Sequence, residues 1–333
     1  MNLRVGVLGG GSWGTTVGAL VARNTCVTLW ARDTATVDEI NTRHTNKKYL
    51  PDANLPERLG ATANIEEAVA GKDVIVMGIP SQGFRGVLVE VREHIRPWVP
   101  VVSLCKGLEL DSKMRMTEII EEVLSGHPAG VLTGPNLARE IMAGYAAASV
   151  IAMADEVIVK ELQNVFNSGL FRVYTNHDVV GCELGGVLKN IIAIAAGMGD
   201  GQGAGENTRS AVITRGLAEI TRLGVAMGGE PQTFAGLTGM GDLVATCTSA
   251  QSRNRSVGFE LGKGRSIREI IDEMYMVAEG VKSAPTVIAL ADEYGVEMPI
   301  AREVYEVVHD RRDAKHAFRG LLRTTAGAES EPG

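Results

Sequence analysis

The residues best suited to chemistry lie in three places. Gly239-Met240-Gly241-Asp242 runs through Thr246-Cys247 to Ser252-Arg253-Asn254-Arg255, gathering an acid, hydroxyls, an amide and two guanidiniums in one short window. Ser252, Arg253 and Asn254 open a helix, and hydroxyl, guanidinium fork and helix N-terminus together suit a phosphate dianion. Arg255 beside them reads as a solvated neighbour. Asp242, at a turn after two glycines, either caps the helix that follows or compensates a nearby ammonium. Lys189 is the only charge in the apolar and glycine-rich run Leu184 to Gly199. A lysine buried there must lose its charge or find a partner, and such tuning makes a lysine useful for proton transfer near neutral pH. The alternative is an amine that snorkels to the rim. Lys106 follows the apolar run Val99 to Cys105 and is either a site lysine or a capping or surface lysine.

A second signal lies near the amino terminus. Gly9-Gly10-Gly11-Ser12-Trp13-Gly14 matches G-x-G-x-x-G, a weak pattern by itself in a chain with 40 glycines. Context strengthens it: a strand from Leu3 to Leu8 precedes it, then come a helix from Thr15 to Arg23 and a second strand from Cys26 to Trp30. In that setting Gly9 permits the tight turn, Gly11 lets a pyrophosphate approach the backbone, and Gly14 lets helix and strand pack closely. After the second strand, Arg32 suits a 2′-phosphate and favours NADPH over NADH, whereas Asp33 is the residue type that binds a ribose 2′-hydroxyl. Arg32 is otherwise a solvated surface charge.

The elements that must position these residues follow from apolar patterning. Further strands are expected at Asp73–Ile79, Val99–Cys105, Val131–Thr133, Ala148–Met153 and Phe171–Tyr174, with a helix starting near Asn136. Ligands in open α/β sheets sit beyond the carboxyl ends of the strands, which puts Ser81, Lys106 and Asn136 at the cleft mouth. After residue 177 helical patterns take over: Val179–Met198, Arg209–Met227, Arg253–Gly262, Ile267–Met274, Ala284–Tyr294, Ile300–Asp310 and His316–Leu322. The expected architecture is an α/β Rossmann-type domain with a mostly parallel sheet over 1–177, followed by an all-α substrate-binding and catalytic domain over 178–323. A small, polar tail over 324–333 is expected to be disordered.

Composition narrows the function. A chain of 333 residues with 45% hydrophobic and 22% charged residues is that of a soluble globular protein of two domains. A net charge of −7 argues against nucleic-acid binding. Four scattered cysteines with no CxxC pair suit reduced thiols in the cytoplasm, and the chain opens without a signal segment. Leu184 to Gly199 is too short and too polar to span a membrane. The six histidines show no metal-ligand spacing, so no metal is expected.

At this point the residues match a family. The chain resembles the bacterial NAD(P)-dependent glycerol-3-phosphate dehydrogenases over nearly its whole length. The matching pieces are Gly9 to Thr15, Tyr49-Leu50-Pro51, Lys106-Gly107-Leu108, Gly134-Pro135 with Glu140, and Leu188-Lys189-Asn190. They continue with Gly239-x-Gly241-Asp242-Leu243, Thr246-Cys247, Ser252 to Arg255 and Val277-Ala278-Glu279-Gly280. The resemblance implies reduction of dihydroxyacetone phosphate to sn-glycerol 3-phosphate, a phospholipid precursor, with NADPH or NADH. It assigns proton transfer to Lys189, with Lys106 and Asp242 beside the substrate. It places Gly134, Asn136, Ser252, Arg253 and Asn254 on the substrate, with Thr246 a further candidate. Gly9, Gly11, Ser12, Trp13, Gly14, Arg32, Tyr49, Lys106, Ala138, Arg253, Val277 and Glu279 would line the cofactor. The family usually has Ser or Thr where this chain has Asn136; an amide still donates and accepts, so altered contact geometry is expected. A homodimer is common in the family. Two other readings stay open: a dehydrogenase of another small hydroxy or keto acid, and a catalytically silent NADPH-binding sensor.

Overall fold

Residues 3–274, 278–309 and 311–321 are described in the computed structural model. Val277 and the tail from 324 to 333 lie outside the described residues. The chain divides into two compact units, Met1–Val179 and Val180–Gly333.

In the first unit the strands are β1 (Arg4–Leu8), β2 (Cys26–Trp30), β3 (Thr45–Asn46), β4 (Leu50–Asn54), β5 (Leu59–Thr62), β6 (Val74–Met77), β7 (Val101–Ser103), β8 (Ala129–Thr133), β9 (Ala147–Met153) and β10 (Phe171–Asn176). Eight of them form one sheet in the order β10-β9-β8-β7-β6-β1-β2-β5. All neighbours are parallel except β8 and β9. The short apolar runs become strands because both faces are covered. Val5, Val7, Val74 and Val76 enter one core with Val17 and Leu20, while the alternate residues Leu8, Ile75 and Met77 enter another with Phe84 and Leu88. The sequence pattern misses β5 and the small antiparallel hairpin β3–β4. Leu-Gly-Ala-Thr carries one large apolar residue, and Pro51, Asp52 and Asn54 argue against a strand. Pairing to β2 makes β5 a strand nonetheless.

The second unit is helical throughout its described residues. Its central helix, Val179–Gly201, buries every residue from Gly181 to Gly199. At 23 residues, with a mean hydropathy of 1.6 over an 18-residue window, it is, among the described residues, the one helix long and apolar enough to cross a membrane. The expectation of a segment too short is therefore corrected: 89% of its apolar window is buried inside the protein. Helix Arg253–Gly262 lies on this helix backbone to backbone. A Cβ on Gly197 would come within 2.1 Å of the Arg255 carbonyl oxygen, and one on Gly258 within 2.0 Å of the Ile194 oxygen.

Several helix boundaries differ from the pattern. Helix Glu206–Ala226 starts a turn early, and helix Glu279–Glu293 contains Pro285 within it. Proline is best tolerated in a first turn, so sequence places the start at Ala284. Burial of Gly280, Ser283, Ala284 and Val287 against neighbours carries the helix through the proline.

Candidate active site

β1 delivers the chain into the glycine-rich turn. Gly9 holds φ at +120°, a conformation that favours glycine, and a Cβ there would lie 2.4 Å from the Gly78 oxygen. A Cβ on Gly14 would lie 2.0 Å from the Gly9 oxygen, so the helix Ser12–Val21 starts flush against the strand end. At Gly11 an added carbon would meet nothing within 4 Å. That open backbone is the N-cap of a helix with no side-chain cap, and the Trp13 indole Nε1 is buried without a partner. Open backbone, an uncapped helix N-terminus and an orphaned donor fit a dinucleotide pyrophosphate.

The acid after β2 has a structural task. Asp33 caps the helix Thr34–Arg43, accepting from Ala35 N at 3.1 Å and from the Thr36 hydroxyl at 3.1 Å, with Lys48 Nζ at 3.4 Å. The Thr36 hydroxyl foremost holds its carboxyl below the usual carboxylate range. Arg32 stands exposed beside it. Tyr49 is half-buried in the turn between β3 and β4, and Ala138 opens the short helix Ala138–Met142.

β1, β6, β7 and β8 run parallel and side by side, so the Gly9–Gly14 turn, Ser81, Lys106 and Gly134 all leave the sheet at its carboxyl end. Lys106, half-buried, donates from Nζ to the Gly134 oxygen at 2.7 Å. That contact ties the lysine to the backbone that follows β8. Asn136 donates from Nδ2 to Ser149 Oγ at 3.2 Å, and Ser149 in turn donates to the Thr133 oxygen at 2.7 Å. The Asn136 Oδ1 is buried with no partner.

In the second unit Lys189 is 5% exposed, so the snorkelling alternative is set aside. Its Nζ donates to Asp242 Oδ1 at 2.7 Å and to Thr246 Oγ1 at 2.5 Å. Thr246 donates onward to the Asp242 backbone oxygen at 2.6 Å, which orients its lone pair toward the ammonium. Asp242 is 2% exposed and is the first residue of helix Asp242–Thr248, which continues out of a π-helical turn over Leu237–Gly241. In that turn Gly241 N reaches back to the Gly236 oxygen at 3.0 Å. Such wide turns re-aim the side chains that follow them, and here the carboxylate meets the lysine 53 residues away in sequence. Burial pushes the neighbouring Cys247 thiol up to about 12, which keeps it neutral and unreactive.

Ser252 caps helix Arg253–Gly262 and accepts from Arg255 N at 3.2 Å. Arg253 takes the first position of that helix; desolvation draws its guanidinium below the usual arginine range, with the Glu279 carboxylate pulling the other way. Asn254 is buried, donating to Asn190 Oδ1 and accepting from Gly280 N, both at 3.0 Å. The expectation of a solvated Arg255 is corrected: its guanidinium pairs with Asp200 at 2.7 Å.

The comparisons with known proteins converge. The chain matches the family models for the NAD-dependent glycerol-3-phosphate dehydrogenase N-terminus over residues 4–159 and C-terminus over 178–319. It is 69% identical over 333 residues to "Glycerol-3-phosphate dehydrogenase [NAD(P)+] 2" of Sphingopyxis alaskensis, covering all of both chains. This chain belongs to the NAD-dependent glycerol-3-phosphate dehydrogenase family. A Mycobacterium avium glycerol-3-phosphate dehydrogenase [NAD(P)+] is 55% identical over 98% of this chain and 96% of its own. The crystal structure of the Coxiella burnetii glycerol-3-phosphate dehydrogenase superposes with a TM-score of 0.92 at 36% identity, covering 96% of this chain and 99% of that one.

Sequence reasoning passed over a residue that supports the glycine-rich turn. Asn46 is fully buried and donates from Nδ2 to the Gly10 oxygen at 3.0 Å and to Thr15 Oγ1 at 2.9 Å. It braces the glycine turn from the hairpin, and no local pattern marks an asparagine for a contact 36 residues away.

Proposed function

We propose that this chain reduces dihydroxyacetone phosphate to sn-glycerol 3-phosphate with NADPH preferred and NADH accepted, and so feeds glycerophospholipid synthesis. The buried Lys189–Asp242–Thr246 cluster carries the proposal. The bound nicotinamide supplies the hydride. Reduction of a ketone develops an alkoxide that needs positive charge and a proton. Lys189 donates a proton from Nζ to that oxygen and takes it back in the reverse direction. Asp242 holds the amine through the 2.7 Å hydrogen bond and, with Thr246, orients it. Lys106, carried by the end of β7, is the second cation proposed for the oxyanion. Ser252, Arg253 and Asn254 hold the phosphate, and Gly134 and Asn136 contact the rest of the substrate. Gly9, Gly11, Ser12, Trp13 and Gly14 hold the pyrophosphate, and Arg32 the 2′-phosphate. Tyr49, Lys106, Ala138, Arg253, Val277 and Glu279 complete the proposed cofactor lining.

Oxidation of NADPH and NADH with dihydroxyacetone phosphate and with unphosphorylated dihydroxyacetone tests this reading. The phosphorylated substrate is expected to be favoured in kcat/KM by about a hundredfold, because charge-assisted bonds to phosphate are each worth about 1.5–3 kcal/mol. Equal rates would remove the phosphate anchor and favour another hydroxy or keto acid. Turnover of neither would favour a silent sensor. Arg32→Ala is expected to raise KM for NADPH about tenfold and leave NADH nearly unchanged, since one charge-assisted contact is removed. An equal effect on both cofactors would place Arg32 away from the 2′-phosphate.

The proposed setting is the cytoplasm, without stable membrane insertion and without nucleic acid. Four free thiols and the burial of the one long apolar helix support it. The proposed assembly is a homodimer, carried over from the resemblance.

A further inference from the structure

Helix Arg253–Gly262 carries the proposed phosphate anchor at its start, and what holds its register is not the packing one expects between helices. Side chains normally interlock in ridges and grooves. Here glycines remove them: Cβ atoms on Gly197 and Gly201 would fall 2.1 Å from the Arg255 and Phe259 oxygens, and on Gly262 2.3 Å from the Met198 oxygen. These contacts fix where the two backbones cross, since a shift would press a Cβ onto a carbonyl, and polar pins set the orientation of the first turn.

Asn254, bonded to Asn190 beside Lys189, is one pin. The other is Asp200. Its side chain is 5% exposed. Oδ2 accepts from Arg255 Nε at 2.9 Å and lies 2.7 Å from its second guanidinium nitrogen. Oδ1 accepts from Arg209 Nε at 2.9 Å. An aspartate in the last turn of helix Val179–Gly201 opposes the helix dipole, so its placement serves the two arginines rather than its own helix. Lys189 and Asp200 ride the same rigid helix, eleven residues apart, and Arg255 directly follows Arg253 and Asn254 in the first turn of the next.

We infer that Asp200 is a positioning residue for substrate specificity: by clamping Arg255 it fixes the phosphate-binding turn Ser252–Asn254 at a set distance from the proton-transferring Lys189. The inference rests on the phosphate-anchor reading above. Without the clamp the anchor drifts while the Lys189 cluster keeps its geometry.

The test is steady-state kinetics of wild type and Asp200→Asn with dihydroxyacetone phosphate and with unphosphorylated dihydroxyacetone. Asp200→Asn is expected to raise KM for the phosphorylated substrate about tenfold, because sub-ångström misplacement of an anchor weakens binding steeply. Its kcat and its kcat/KM for unphosphorylated dihydroxyacetone should stay within about threefold, since no group at the reacting carbon is removed. A parallel loss with both substrates would mean a general structural role and overturn the inference, as would no change with either. Should Asp200→Asn fail to fold, Arg255→Gln removes the same clamp, and the same split is expected of it. A wild type that did not distinguish the two substrates would instead defeat the phosphate-anchor reading itself, so the two failures are separable.

Discussion

Lys189→Met is expected to lower kcat by about a thousandfold, within the range that removal of a positioned general acid costs. Methionine keeps the length and apolar stem of the lysine, so the helix interior stays filled. What changes is the partner. Asp242, 2% exposed, loses the ammonium 2.7 Å away, and an orphaned buried charge costs about 3–5 kcal/mol. The variant should therefore unfold at lower denaturant as well as turn over slowly. Lys189→Met with Asp242→Asn separates the two effects: stability should return and turnover should not. NADPH affinity, measured by fluorescence, should be nearly unchanged, because the proposed pyrophosphate site at residues 9–14 belongs to the first unit. Wild-type turnover by Lys189→Met would remove the proton-transfer role altogether.

The second large effect concerns stability and pH. Glu219 is 2% exposed on helix Glu206–Ala226. Its two oxygens accept from Ile300 N at 2.7 Å and Ala301 N at 3.1 Å, at the start of helix Pro299–Val308. Burial pushes its pKa up to about 7, against the pull of those N–H groups, Arg222 and Arg215. The folded state then holds the proton more tightly than an unfolded glutamate, whose pKa is 4.5. The favourable contribution is full below about 4.5 and disappears as pH rises through about 7, amounting to about 3 kcal/mol over that window. Wild type should lose stability from pH 5 to 8 relative to Glu219→Gln, which does not titrate. Denaturant midpoints followed by far-UV circular dichroism measure this, and parallel pH profiles for the two proteins would rule it out.

Much of the fold is legible in the sequence because burial leaves a local imprint. Apolar runs such as Val5 to Leu8 and Val74 to Met77 mark strands covered on both faces, and the loss of such runs after residue 177 marks the change to helices. β5 and the helix through Pro285 are illegible for the opposite reason. Their local preferences point elsewhere, and pairing to β2 or burial among neighbouring helices outweighs them.

The candidate site divides along the same line. The glycine turn at Gly9, Gly11 and Gly14 is legible in sequence because the φ of Gly9 and the contact of Gly14 with the Gly9 oxygen arise within a few residues, although Gly9 also abuts Gly78. So is the burial of Lys189, whose run contains no other charge. Partnership is decided only by tertiary structure. Asp242 reads as a cap or a counter-ion until the π-helical turn brings it to Lys189 across 53 residues. Arg255 reads as solvated until Asp200 meets it across 55, and Glu219 gives no sign of capping a helix start 81 residues on. A sequence pattern records which side chains leave water. Which charge each one meets there depends on how helices remote in the chain pack together.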